Sequence, residues 1–193
     1  VNVGLYISFF PQLIAGPIVR YLDIKEELAN RMCTWRDMET GIARFLTGFS
    51  KKVLLANNLA FFADQAFSLN AEPGGVNTIF AWGGILAYTL QIYYDFGGYS
   101  DMAIGLGNMF GFHFRENFDY PYASSSVSEF WRRWHMSLSG WFRDYIYIPL
   151  GGNRVGVWKQ MRNLMVVWFL TGLWHGADYT FIIWGLFYGC III

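Results

Sequence analysis

Two histidines sit among residues that rarely tolerate an ionisable neighbour. His175 stands in TGLWHGADYT (171–180), between the apolar stretches LMVVWFL and YTFIIWGLFYGCIII. A neutral imidazole in such a place can take a proton from a hydroxyl as that oxygen attacks a carbonyl. An ionisable group at membrane depth is costly and is a functional hypothesis by default. The plain alternative is a neutral histidine hydrogen-bonded between helices. The second histidine, His135, lies in FWRRWHMSLSGWFRDYIYIPLGGNR (130–154). Its plain alternative is a satisfied polar residue on a packed aromatic face. His113 fits no catalytic pattern and reads as structural. There is no G-x-S-x-G element and no cysteine close to a histidine in sequence, so a serine or cysteine hydrolase has no local support. The three histidines lack a ligand-spaced zinc motif, and Cys33 and Cys190 read as unrelated thiols.

The elements that must position these groups read as membrane helices. Of 193 residues, 54% are hydrophobic, 20% aromatic and only 15% charged, against about 25% charged in an average soluble domain. Net charge is zero, which implies no bulk attraction to nucleic acid. The chain starts at Val1 and ends on three isoleucines within an apolar run, so it reads as a piece of a longer membrane protein. Seven Lys/Arg fall in residues 20–52, seven in 115–162, and none in 53–114. Basic loops stay on the cytoplasmic side. Both basic stretches are therefore placed in the cytoplasm and the loop SLNAEPGGVN (68–77) outside. Residues 1–19 read as one span, kinked at Pro11 and Gly16-Pro17. A second span covers about 42–67 and a third 78–94. Charge parity requires an odd number of crossings between 78 and 112, so one of the pieces 78–94 or 102–112 is expected to be broken or re-entrant. Irregular backbone at membrane depth must be buried in protein or line a wet cavity, and Asp95, Tyr99, Ser100 and Asp101 are candidates to line it.

Thr34 with Asp37, and Ser126 with Glu129, read as capping boxes that start helices. From Val127 onward, Trp131, Trp134, His135, Leu138 and Phe142 share one helical face, with Arg132 and Arg133 turned away. That pattern predicts an interfacial helix too short to cross a bilayer. Pro149–Arg154 is a turn-rich loop and a weak match to a phosphate-binding one. Leu164–Ala177 holds fourteen residues without Asp, Glu, Lys or Arg, a rise of only about 21 Å as a helix. A helix break is therefore expected around Trp174-His175-Gly176, well inside the membrane. Asp178, three residues on, is placed either to orient the imidazole or to cap a helix.

The pairing of residues 130–154 with LTGLWHGADYTFIIWGLFYG (170–189) resembles the membrane-bound O-acyltransferase family in its bacterial branch. SFFPQLIAGPIVRY (8–21) and YYDFGGYSDMAIGLGNMFGFHFRENFDYPY (93–122) carry the same resemblance, which thus covers essentially the whole chain. It implies an all-α, polytopic membrane protein with short, broken or re-entrant helices around an internal tunnel, and residues 1–193 as part of a single such domain, truncated at both ends. It implies His175, in Trp174-His175-Gly176, as catalytic base, and His135, on a W-x-x-W-H element, as a catalytic or site-supporting group that orients the donor or polarises its carbonyl. Trp131, Arg132, Arg133, Trp134, Arg143, Trp174 and Asp178 become candidate substrate-binding residues. Arginines here could meet coenzyme phosphates, with anionic lipid heads or plain packing as the alternative. No cofactor is resident. The donor implied is a thioester, acetyl-CoA or an acylated carrier, reached from the cytoplasmic side of a bacterial inner membrane. The implied partners are the lipid bilayer, a periplasmic or extracellular acyltransferase and polysaccharide export machinery, with no nucleic acid. Broken helices and acids at membrane depth would also suit a transporter or channel, and a non-catalytic scaffold for a periplasmic transferase is a further alternative.

Overall fold

The computed structural model describes residues 2–9, 16–69, 75 and 77–193. Among them the chain is helical, without a strand. It divides into two compact units, Val1–Glu116 and Asn117–Ile193.

The first unit holds α1 (Asn2–Ile7), α2 (Tyr21–Ala29), α3 (Trp35–Ser50), a π-helical segment (Lys51–Ala56), α4 (Asn57–Leu69) and α5 (Thr78–Met109). The expected kink at Pro11 lies outside the described residues. Residues 17–20 are non-helical, as Gly16-Pro17 leads one to expect. The capping box that opens α3 is present: Asp37 N–H donates to Thr34 Oγ1 at 3.2 Å, and Thr34 N–H donates to Asp37 Oδ2 at 2.8 Å.

α5 corrects an expectation. It runs unbroken for 32 residues through Asp95, Gly97-Gly98 and Asp101, so the two pieces that were to be separate are one helix, and no re-entrant segment occurs there. The acids do not open a cavity either. Asp101, 8% exposed at its side chain, takes Arg44 and Lys51 at 2.6 Å each, and Asp95 takes Lys52. Arg44 also reaches Glu116 at 2.5 Å. The cations come from α3 and the π-helical segment, which pack along α5. Buried Asp101 thus has its counter-ions from the elements packed along α5, the condition under which a buried charge is tolerated, and half-exposed Asp95 is paired in the same way.

The second unit holds a 3-10 turn (Pro121–Ala123), α6 (Val127–Arg133), α7 (Met136–Phe142), a π-helical turn (Arg143–Tyr147), α8 (Val157–His175) and α9 (Tyr179–Ile192). Gly172 and Gly185 let α8 and α9 touch backbone to backbone. A Cβ on Gly172 would strike the Phe181 carbonyl, and one on Gly185 the Trp168 carbonyl. The loop at 149–154 is closed by Asn163, fully buried, whose amide donates to the carbonyls of Leu150 (3.0 Å) and Gly152 (3.3 Å). Its carbonyls point inward, which does not suit a phosphate cradle.

Among the described residues no helix is long and apolar enough to cross a membrane. The physical reasons are local. The apolar part of α5 before Asp95 is diluted by Thr78, Gly83, Gly84, Thr89, Gln91 and its tyrosines, α8 starts with Lys159 and Arg162, and α9, apolar for most of its length, has only fourteen residues.

Candidate active site

α6 begins as its sequence requires: Glu129 N–H donates to Ser126 Oγ at 3.1 Å. The Glu129 carboxylate turns one residue further back than a capping box would place it, accepting from Ser125 N–H (2.9 Å) and Ser125 O–H (2.8 Å). The same carboxylate pairs with Arg133 at 2.8 Å.

The single helix expected to carry Trp131 through Phe142 on one face is not there. It breaks at Trp134, which is extended, and His135, which is left-handed with φ 46° and ψ 53°. A residue other than glycine adopts that region only when its surroundings impose it. They do so through residues 117–119. Met136 N–H donates to the Asn117 carbonyl (2.9 Å) and Asp119 N–H to the Arg133 carbonyl (3.0 Å). His135 is 5% exposed, with its ring Nδ1 3.0 Å from Asn117 Oδ1. The two helices flanking it have seven residues each, too short to span. Burial pushes the His135 imidazole down to about 3, with a smaller electrostatic contribution from the neighbouring His175 in the same direction.

His175 is the last residue of α8. Its Nδ1 lies 2.7 Å from the Thr171 carbonyl, four residues back. A carbonyl only accepts, so Nδ1 is the donor and the neutral ring carries its lone pair on Nε2. That is the tautomer a general base needs. Gly176 follows because the Phe181 ring of α9 lies where a Cβ would be.

Both histidines line one cavity of about 500 Å3 within this unit. Trp131, Arg132, Trp134 and Arg143 share its wall, with Leu138, Phe142, Leu164, Val167, Trp168 and Ile192 as apolar lining. Arg132 is exposed and has no carboxylate partner among the described residues, whereas Arg143 is paired with Asp144 at 2.7 Å. Three of the expected substrate-binding residues stand apart from the lining. Arg133 is turned to Glu129 and, at 3.9 Å, to Asp119. Trp174 packs its ring 4.9 Å from that of His175 and 6.0 Å from that of His135. Asp178 caps α9: its Oδ1 accepts from Thr180 N–H at 2.9 Å and Thr180 O–H at 3.0 Å. It therefore serves the helix end, and the His175 ring is oriented by the Thr171 carbonyl instead. Asp95, Tyr99, Ser100 and Asp101 belong to the other unit and do not line this cavity.

The residues that sequence reasoning missed are those acting through backbone or at long range. Thr171 was legible in principle, since a histidine in the last helical turn meets a carbonyl lacking its own helical partner. The aromatic wall was legible too: Trp184 and Tyr188 are four apart on α9, and both rings pack against Trp131 and Trp168, Trp131 and Tyr188 at 4.9 Å. Asn117 carried no local signal.

The family model described as MBOAT, membrane-bound O-acyltransferase family, matches residues 1–193. The chain belongs to the membrane-bound O-acyltransferase family. Within that family it is 52% identical to a probable alginate O-acetylase AlgI of Pseudomonas putida, over 98% of this chain and 38% of that protein. It is 44% identical to a peptidoglycan O-acetyltransferase of Helicobacter pylori, over 97% of the chain and 36% of the relative. With a teichoic acid D-alanyltransferase of Bacillus subtilis it shares 32% identity over 97% of the chain and 49% of the relative. The chain thus spans under two-fifths of the length of its alginate-type relatives. The motifs that first suggested the family, W-x-x-W-H and W-H-G, supply the two histidines that the second unit brings to one cavity.

Proposed function

We propose that this chain carries the reaction centre of a multi-pass O-acyltransferase of the bacterial cytoplasmic membrane. The enzyme moves an acetyl group from a cytoplasmic thioester toward a hydroxyl of an exported polysaccharide. The observation that carries the reading is the His175 ring, tied at Nδ1 to a backbone carbonyl and placed with His135 on one cavity. Nε2 of His175 takes the proton of the acceptor hydroxyl as its oxygen bonds to the acyl carbon. The carbon–sulfur bond then breaks, and the imidazolium returns the proton to the departing thiolate. His135 contacts the substrate from the second wall. Arg132, unpaired at the cavity, meets an anionic group of the donor. The donor is acetyl-CoA or an acetylated carrier, and a periplasmic acyltransferase completes transfer to the polymer with the export machinery. The acetyl group and the polysaccharide acceptor are favoured by the relatives named for alginate and peptidoglycan O-acetylation.

The test uses the full-length protein in membranes with donor labelled in the acetyl group. Wild type should release free thiol and pass label to a hydroxyl acceptor, and His175→Ala should do neither while accumulating normally. Label crossing the membrane with the thioester intact would make the protein a transporter, and no donor consumption by wild type would make it a scaffold.

A further inference from the structure

Asn117 is fully buried at the start of the second unit. Its side-chain oxygen lies 2.8 Å from Ser137 Oγ, 3.0 Å from His135 Nδ1 and 3.3 Å from the Ser137 backbone N. A backbone N–H can only donate, so it identifies the Asn117 atom facing it as oxygen rather than nitrogen. The same oxygen faces Nδ1, which must then hold the imidazole proton. The Asn117 backbone carbonyl meanwhile accepts from Met136 N–H at 2.9 Å. Side chain and main chain of one residue thus grip both sides of the left-handed His135.

We infer that Asn117 is a positioning residue that keeps the proton of His135 on Nδ1, so that His135 enters the reaction as a hydrogen-bond acceptor at Nε2 and not as a donor. This rests on the acyltransferase reading and sharpens the part His135 plays in it. An acyl carbonyl oxygen is stabilised by donors. A neutral ring whose single proton faces Asn117 has none to offer at Nε2, so His135 does not polarise the carbonyl. It accepts from a substrate O–H or N–H and fixes that group relative to His175. No bond is made or broken in this role. The two histidines are then anchored alike, each by Nδ1–H to a carbonyl oxygen, one of a side chain and one of the main chain.

The decisive experiment is nitrogen NMR of the full-length protein in detergent with 15N-histidine, the His135 signals being assigned by their loss in His135→Gln. The expected spectrum has His135 Nδ1 protonated and Nε2 bare. A protonated Nε2 in the wild-type protein overturns the inference with no variant needed. Asn117→Ala should release the tautomer and lower kcat/KM by about 10–100-fold, the usual cost of removing a group that orients a functional imidazole. Asn117→Asp keeps an acceptor for all three donors and adds a negative charge. It should restore most of the lost activity and raise the pH at which the His135 signals titrate by about 1–3 units. An Asn117→Ala protein that folds and keeps the wild-type tautomer also overturns it. Because the tautomer is read without turnover, an error in the acyltransferase reading leaves the spectrum as expected, and an error here leaves acyl transfer by His175 intact.

Discussion

In the first unit the charged groups between helices are closed on one another. Asp101 is held by Arg44 and Lys51, Asp95 by Lys52, and His113 by Glu27 at 2.9 Å with Asp37 at 3.7 Å. In the second unit the two histidines of the cavity each turn Nδ1 to an oxygen of an uncharged group, the Asn117 side chain for His135 and the Thr171 carbonyl for His175, beside the rings of Trp174 and Trp184. The difference separates structure from chemistry. A charge matched by a counter-ion fixes helix against helix and has little left to give a substrate. An imidazole whose Nδ1 donates to an oxygen has its acceptor lone pair at Nε2. The histidines of the two units are accordingly shifted in opposite directions. Hydrogen bonding to Glu27 raises His113, and burial lowers His135.

The comparison can be strained first at Asp101. Asp101→Ala leaves Arg44 and Lys51 without their shared partner. Removing one side of a fully buried pair costs about 3–5 kcal/mol, and the third-exposed cations bring the expected loss to about 2–3 kcal/mol. Thermal unfolding in detergent should register it, while acetyl transfer per folded molecule stays near wild type. A large loss of turnover without a fall in stability would instead give the first unit a chemical part.

A pH series sharpens the contrast. His135 titrates near 3 in the fold and near 6.5 when unfolded. Its contribution to stability is complete above about 6.5 and drains away as pH falls toward 3, because the unfolded ring takes up a proton that the folded ring refuses. His113, raised, behaves in reverse. Its contribution is complete below about 6.5 and is lost as pH climbs through its raised value. With a side chain 58% exposed, that part should be of surface-pair size, about 0–1 kcal/mol. Unfolding midpoints of His135→Gln should fall less steeply than wild type on acidification, and those of His113→Gln less steeply on alkalinisation.

The smallest effect is at Asp178. If it only caps α9, Asp178→Asn should match wild type in stability and turnover, and Asp178→Ala should cost about 1 kcal/mol of stability with turnover per folded molecule unchanged. Turnover lost in both, without unfolding, would return Asp178 to the histidine.

What could be read from the residues alone follows the range of the forces involved. The starts of α3 and α6 were legible because a cap is decided within four residues, at Thr34–Asp37 and Ser126–Glu129. The helix end at His175 was legible because a long apolar run meets Gly176 and an aspartate. The unbroken course of α5 was not: Asp95 and Asp101 look unaffordable in a helix at depth until Lys52, Lys51 and Arg44 arrive from more than forty positions away. The break at His135 was hidden for a similar reason. The pattern from Trp131 to Phe142 fits a continuous helix, and what interrupts it is Asn117, eighteen positions upstream. The aromatic face was the right reading of which residues gather, on the wrong backbone.

Chemical rescue tests the central claim most directly. In full-length His175→Gly, acetyl transfer should fall by about 100- to 10,000-fold, the usual worth of a general base, and added imidazole should restore part of it in proportion to its unprotonated fraction. Transfer that stays high without imidazole, or that no concentration of imidazole revives in a folded, donor-binding variant, would mean that the proton leaves the acceptor by another route.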